Sequence, residues 1–289
     1  VGDIVVPMVR RPCLHDYCVA CRSDRQDFCF TGDFQERGIK ERHGFMAQFV
    51  VDDEKYMNSV PKEMRDVAVL VEPLTIAEKG LMQVWQVQQR LPWSCPVAPG
   101  KAAAYRHRAV VLGAGPVGLL GAMALVNKDF DTYVYSRESA PNPKSQLLKS
   151  IGAHYISSET VTPEMLPRHV GNIDLIYEAT GASNLSFEMM KYLGTNGIFV
   201  FTGVPGRKGP IEVDTDLMMR NLVLKNQVVF GTVNAGRESF ENSIRDLGTF
   251  TKRWPAAVKS LITGRFPMDA HGDLLLGRSG GIKNVIQLN

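Results

Sequence analysis

Neither an excess of one charge sign nor a long apolar run marks this sequence. Its 33 basic and 30 acidic side chains leave a formal charge of +3 over 289 residues, which gives no case for a nucleic-acid partner or an anionic membrane surface. No uninterrupted apolar stretch approaches the roughly 20 residues that span a bilayer, and no signal-peptide pattern opens the chain. A small-molecule partner and a cytoplasmic location are therefore expected, with no nucleic acid and no membrane involved. Cysteine is scarce: there are five, and four of them fall between Cys13 and Cys29. An odd total clustered in this way argues against a secreted disulfide framework and suits reduced metal ligands, with Cys95 a bystander. Repeats and low-complexity tracts are absent. An initiating methionine is absent too, and Val1-Gly-Asp-Ile-Val-Val-Pro reads as the middle of a β-domain, so a preceding N-terminal segment is expected.

What is present divides into two kinds of text. Up to about Pro61 the chain is strand-like and irregular, with strands expected at Asp3 to Val9 and Phe45 to Val51 around a cysteine loop. From Glu72 to Arg90, Leu74, Ala77, Leu81, Val84 and Val87 recur at helical spacing behind Pro73, so one helix is expected to lead out of this domain. Pro92, Pro96, Pro99 and Gly100 then read as a linker. Beyond it, strands expected at 109–112, 132–135, 173–177, 198–201 and 228–230 alternate with helices from Pro116, over 144–151 and near 185–193. That alternation predicts an α/β, doubly wound parallel sheet. Two further helices, over 238–250 and 255–262, and a strand over 283–288 are expected to pack back on the first domain. The expected division is 1–100, 101–233 and 234–289.

Cys13, Cys18, Cys21 and Cys29 have the short spacings that let one loop wrap a tetrahedral zinc. Four thiolates close the coordination sphere, so this zinc is expected to be structural. His15 lies within the loop as a weaker competing ligand. The strand at 109–112 runs directly into Gly113-Ala-Gly115-Pro116-Val117-Gly118 and a helix. That context marks a dinucleotide fingerprint: Gly113 for the tight turn, Gly115 for approach to the pyrophosphate, Gly118 for helix packing. About twenty residues on, a carboxylate would normally accept from the ribose hydroxyls. Ser136-Arg137 stand there instead, and a hydroxyl with a guanidinium favours a 2′-phosphate, hence NADP over NAD, although Glu138 follows at once. The ends of later strands nominate Thr180, Thr202, Gly203, Val204 and Thr232 to face the nicotinamide.

These residues resemble the medium-chain zinc-dependent alcohol dehydrogenases, and within them the archaeal-type glucose dehydrogenases, over nearly the whole chain. The resemblance is carried by Gly2-Asp3-Ile-Val-Val-Pro with Arg10-Arg11, by Arg25-Gln-Asp27-Phe28-Cys29 with Thr31-Gly32, by Gly44-Phe45-Met46, and by Val71-Glu72-Pro73-Leu74. The glycine fingerprint, Glu178-Ala-Thr180-Gly181-Ala182 and Gly231-Thr-Val-Asn234 continue it. It implies a Rossmann domain beside a β-rich GroES-like catalytic domain, N-terminally incomplete here. It also implies oxidation of an aldose, glucose or galactose, at the anomeric carbon to the lactone, with hydride passing to NADP or NAD.

In this family a second, catalytic zinc is held by residues upstream of the cysteine lobe and by the position matching Glu72, so the chain as given is expected to turn over little without them. The sugar-binding positions carry over to Glu36 and Asn234, with Asn234 also beside the cofactor. Two positions depart from the pattern: Ile76 stands where an aspartate is expected and Lys225 where a histidine is common. A polyol or secondary-alcohol dehydrogenase and a catalytically silent NADP-binding protein are the alternatives. A homo-oligomer, dimer or tetramer, is expected.

Overall fold

Apolar alternation at the start of the chain becomes β1 (Ile4–Pro7), pairing antiparallel with β5 (Met57–Val60), in a computed structural model that describes residues 2–92, 106–206, 209–277 and 280–288. Cys95 and most of the proline-rich stretch lie outside the described residues. Between these strands come β2 (Arg10–Arg11), the short helix α1 (Val19–Arg22), β3 (Gln35–Arg37) and β4 (Glu41–Arg42), the three strands forming one small sheet.

The strand expected over residues 45–51 does not form. Arg37 instead holds the chain on either side of that stretch, its guanidinium donating to His43 O at 3.2 Å and to Val51 O at 2.9 Å. Phe49 and Val51 are left about nine-tenths exposed, at 90% and 92%. Arg37 also donates to Asp52 through Nε at 2.9 Å, Arg11 Nη2 donates to the same carboxylate, and Arg42 stands 3.7 Å away.

The helix expected from Glu72 is α2 (Val71–Gln88). Its first half buries Leu74 and Ala77 in one compact unit, Val1–Lys79 with Val233–Asn289, and its second half belongs to the other, Gly80–Thr232. The division thus falls inside the helix, earlier than residue 100, because the later half packs on the sheet: a Cβ at Gly80 would sit 3.5 Å from Val200 and 3.6 Å from Tyr177.

The Gly80–Thr232 unit is built on β6 (Arg108–Leu112), β7 (Asp131–Ser136), β8 (His154–Ser157), β9 (Leu175–Glu178), β10 (Ile198–Phe201) and β11 (Val228–Gly231). All six are parallel, in the order β11-β10-β9-β6-β7-β8. The connecting helices are α3 (Pro116–Asn127), α4 (Pro143–Ile151), α5 (Leu166–Val170), α6 (Ser183–Met190) and α7 (Thr215–Leu224). Helix α3 is apolar on nearly every side and largely buried, as a helix covering a sheet centre must be. Winding reverses between β6 and β9, which opens the ligand-binding crevice of this class beside the carboxyl ends of those strands.

The return segment holds α8 (Arg237–Arg253), α9 (Pro255–Leu261), β12 (Ile262–Pro267), α10 (His271–Leu276) and β13 (Lys283–Gln287), which pairs parallel with β12. It belongs to the same unit as the N-terminal strands. No helix among the described residues is long and apolar enough to cross a membrane.

The Asp52 side chain is 1% exposed. Burial pushes its carboxyl up, but Arg11, the Asp53 amide and Arg37 outweigh that and hold it below the ordinary carboxylate range. A depressed folded-state value stabilises above the unfolded value, and that stability is lost as pH falls through the folded one. Asp52→Asn is therefore expected to lower the melting temperature at neutral pH and to flatten its fall under acid, which thermal denaturation between neutral pH and pH 3 would show.

Candidate active site

The glycine fingerprint follows β6 directly. Gly113 has φ of +100°, and a Cβ there would lie 2.6 Å from Thr180 Cγ2; a Cβ on Gly118 would lie 2.0 Å from Gly113 O. The first and third glycines are thus required by packing. At Gly115 an added Cβ meets nothing within 4 Å, leaving space where a ligand approaches the start of α3. Gly115 caps that helix without a side-chain hydrogen bond and Pro116 follows at its first turn, so the amides of Val117 and Gly118 lie at a positive helix end suited to a pyrophosphate.

Ser136 ends β7 and Arg137 is exposed just beyond it. Glu138 is ion-paired with Lys144 in the first turn of α4, which offsets the charge of the carboxylate next in sequence to the Ser136-Arg137 pair.

Glu178, at the end of β9, is a site residue that sequence reasoning passed over. Its buried carboxylate accepts from Thr180 N and Thr180 Oγ1, both at 2.6 Å, from Gly181 N at 2.7 Å and from Gly203 N at 3.0 Å. One side chain thereby shapes the loops after both β9 and β10. Its signal in the sequence was an acidic residue closing an apolar strand before Ala-Thr-Gly.

The strand-end hydroxyls are unequal. Thr180 spends its proton on Glu178, and Thr202 donates to Glu178 O at 2.6 Å. Thr232 Oγ1 instead accepts, from Gln83 Nε2 at 2.8 Å. Val204 is exposed, and its carbonyl packs where a Cβ on Gly181 would be, at 2.7 Å. Lys225 lies at the end of α7, by the start of β11 and therefore at the opposite end of that strand from Thr232. It stands away from the carboxyl-end face of the sheet.

In the other unit, the Sγ atoms of Cys13, Cys18, Cys21 and Cys29 all lie within 4.8 Å of one another, with Cys18 and Cys29 at 3.9 Å. A ZnS4 tetrahedron with Zn–S of about 2.3 Å has edges of about 3.8 Å, so the residues fit zinc. Burial opposes ionisation of Cys29, but the Thr31 hydroxyl and amide lower its pKa to about 6. His15 is spent on Asp33, 2.5 Å away, and does not join the thiols.

Glu36 and Asn234, 198 residues apart in sequence, meet: Asn234 Nδ2 donates to Glu36 Oε1 at 2.7 Å. Ile76 is half-buried in α2 and offers no polar group. Glu72 sits in the first turn of α2, its carboxyl pushed up by burial with Lys283 opposing. Among the described residues no group of three metal donors includes Glu72. One carboxylate is a single ligand of the about four that zinc takes.

A lobe of four thiols and a dinucleotide-binding sheet in one chain are the two marks of a zinc-containing dehydrogenase. The sequence profile described as Glucose dehydrogenase C-terminus matches residues 65–288. Glucose 1-dehydrogenase of Methanocella arvoryzae is 33% identical over 99% of this chain and 77% of its own length. Glucose 1-dehydrogenase 2 of Vulcanisaeta moutnovskia is 35% identical over 100% and 76%. The crystal structure of Haloferax mediterranei glucose dehydrogenase in complex with NADP, Zn and gluconolactone superposes with a TM-score of 0.86 at 31% identity, covering 100% of this chain and 77% of that one. The chain belongs to the glucose dehydrogenase family of medium-chain zinc-dependent dehydrogenases.

Two outcomes are expected of this site. Cys18→Ser should lower bound zinc by one ion per chain and lower the melting temperature, as metal analysis and calorimetry would show. Glu178→Ala leaves three amides without their acceptor, at about 1–3 kcal/mol for each that stays unsatisfied, so NADPH affinity and melting temperature should both fall; Glu178→Gln should lose less.

Proposed function

We propose that this protein is an NADP-preferring aldose 1-dehydrogenase that oxidises glucose or galactose at the anomeric carbon to the lactone. The observation that carries the reading is the Glu36–Asn234 pair, joined at 2.7 Å within a chain of this family. A carboxylate beside an amide offers the acceptors and donors that a ring of adjacent hydroxyls requires. Bound at the carboxyl ends of β6, β7, β9, β10 and β11, NADP supplies the hydride acceptor.

The residues of this chain bind and orient. Gly115 and the start of α3 take the pyrophosphate, Ser136 and Arg137 take the 2′-phosphate, and Glu178 holds the Thr180 and Gly203 loops that flank the nicotinamide. Thr232 offers its hydroxyl proton to the carboxamide. Glu36 and Asn234 fix the sugar so that its C1 hydrogen can leave as hydride to NADP while the C1 hydroxyl releases its proton to solvent, giving the lactone. Glu72 is proposed as one donor to the family's catalytic zinc. A homo-oligomer is part of the same proposal, checked by sedimentation.

The test offers aldoses and simple alcohols separately to the zinc-loaded protein, with NADP and with NAD. Reduced cofactor should form with glucose or galactose and preferentially with NADP. Arg137→Ala should weaken NADP binding roughly tenfold or more, the worth of a charge-assisted phosphate contact, and leave NAD nearly unchanged. Turnover of simple alcohols alone would favour a secondary-alcohol dehydrogenase, and cofactor binding without any turnover a silent NADP-binding protein.

A further inference from the structure

We infer that Arg10 and Lys79 are positioning residues for aldose recognition, each holding one half of the Glu36–Asn234 pair from a common buried anchor, Asp27. The inference rests on the reading of Glu36 and Asn234 as the sugar-binding pair.

Arg10 faces Glu36 across the antiparallel register of β2 and β3, and its Nε donates to Glu36 Oε1 at 3.1 Å. Its Nη1 donates to Asp27 O at 3.3 Å, and its guanidinium lies 3.7 Å over the Phe34 ring. Lys79 reaches the same anchor from α2: Nζ is 2.9 Å from Asp27 Oδ2 and donates to Val233 O at 2.9 Å. The two side chains are 0% and 3% exposed. Val233 immediately precedes Asn234, whose φ of +61° is a conformation asparagine tolerates but that its surroundings must fix. A ring closes through Asp27, Lys79, Val233, Asn234, Glu36 and Arg10.

This ring decides which atoms are left for a ligand. Glu36 Oε1 already accepts from Arg10 and Asn234, so Oε2 is the acceptor facing a hydroxyl. Asn234 Oδ1 accepts from Ala235 N at 2.9 Å and one amide hydrogen goes to Glu36, so its second amide hydrogen is the free donor. The pair presents acceptors on Glu36 Oε2 and Asn234 Oδ1 beside one amide donor, the complement of adjacent sugar hydroxyls. Their spacing is set by Arg10 on one side and Lys79 on the other, neither of which supplies those atoms.

The experiment compares the zinc-loaded holoenzyme with Arg10→Met, Arg10→Lys and the double variant Asp27→Asn/Lys79→Met, which removes both buried charges together and so avoids stranding one. Aldose KM, kcat, NADPH Kd, zinc content and melting temperature are measured on each. Arg10→Met and the double variant should raise aldose KM about tenfold with kcat within about twofold, the signature of lost ground-state binding. NADPH Kd and zinc content should stay at the unmodified values, and Arg10→Lys should recover part of the KM. Unchanged aldose KM in both variants would overturn the inference, as would aldose and NADPH affinity falling together, which marks general loss of structure. Absence of any saturable aldose dependence in the unmodified protein would instead defeat the reading of the pair itself, before any variant is compared.

Discussion

The ion pair between Asp27 and Lys79 is the contact on which the Val1–Lys79 and Val233–Asn289 unit depends. Both side chains are sealed from water, and a charge placed there without a partner costs several kcal/mol. The loop that ends in Cys29, the first half of α2 and the turn into α8 must therefore arrive at one point together. Packing around it leaves little latitude: a Cβ on Gly236, at the start of α8, would lie 2.9 Å from Asp27 Oδ1. Burial lowers the Lys79 pKa, and Asp27 offsets that only in part, so the net displacement is downward. With the lobe tied in this way, a zinc held by the four thiols would order more than its own loop, since Asp27 is two residues from Cys29.

The Gly80–Thr232 unit solves a different problem with a single carboxylate. A parallel sheet ends in loops whose amides need acceptors, and Glu178 supplies four acceptor contacts to the loops after β9 and β10. The glycines complete the arrangement sterically, for Gly203 approaches Gly181 so closely that a Cβ would lie 2.2 Å from its nitrogen. These loops are thus organised by the protein's own hydrogen bonds, while the space at Gly115 is open and Arg137 is exposed.

Features written into short stretches were legible in the sequence. The cysteine spacing located the lobe, the strand before Gly113 located the fingerprint, and alternation located five of the six parallel strands. Strand β8 went unrecognised because its four residues at the sheet edge carry a polar, partly exposed pattern, and α7 because no residue of it is buried. Arg37 holds the chain on either side of the apolar stretch before Asp52, a long-range contact invisible in local alternation. Glu36 and Asn234 were reached by resemblance, but that they touch follows only from the return of the chain after Val233. Glu178 and Lys79 escaped notice for the same reason: their partners come from distant segments, and a lone acidic or basic residue in an apolar stretch does not announce what it will bind.

The most direct test of the account follows the hydrogen itself. Glucose carrying deuterium at C1, oxidised by the zinc-loaded protein, should deliver its label to C4 of NADPH with one lactone formed per cofactor reduced. Label retained in the sugar product, or hydride drawn from another carbon, would contradict an aldose 1-dehydrogenase.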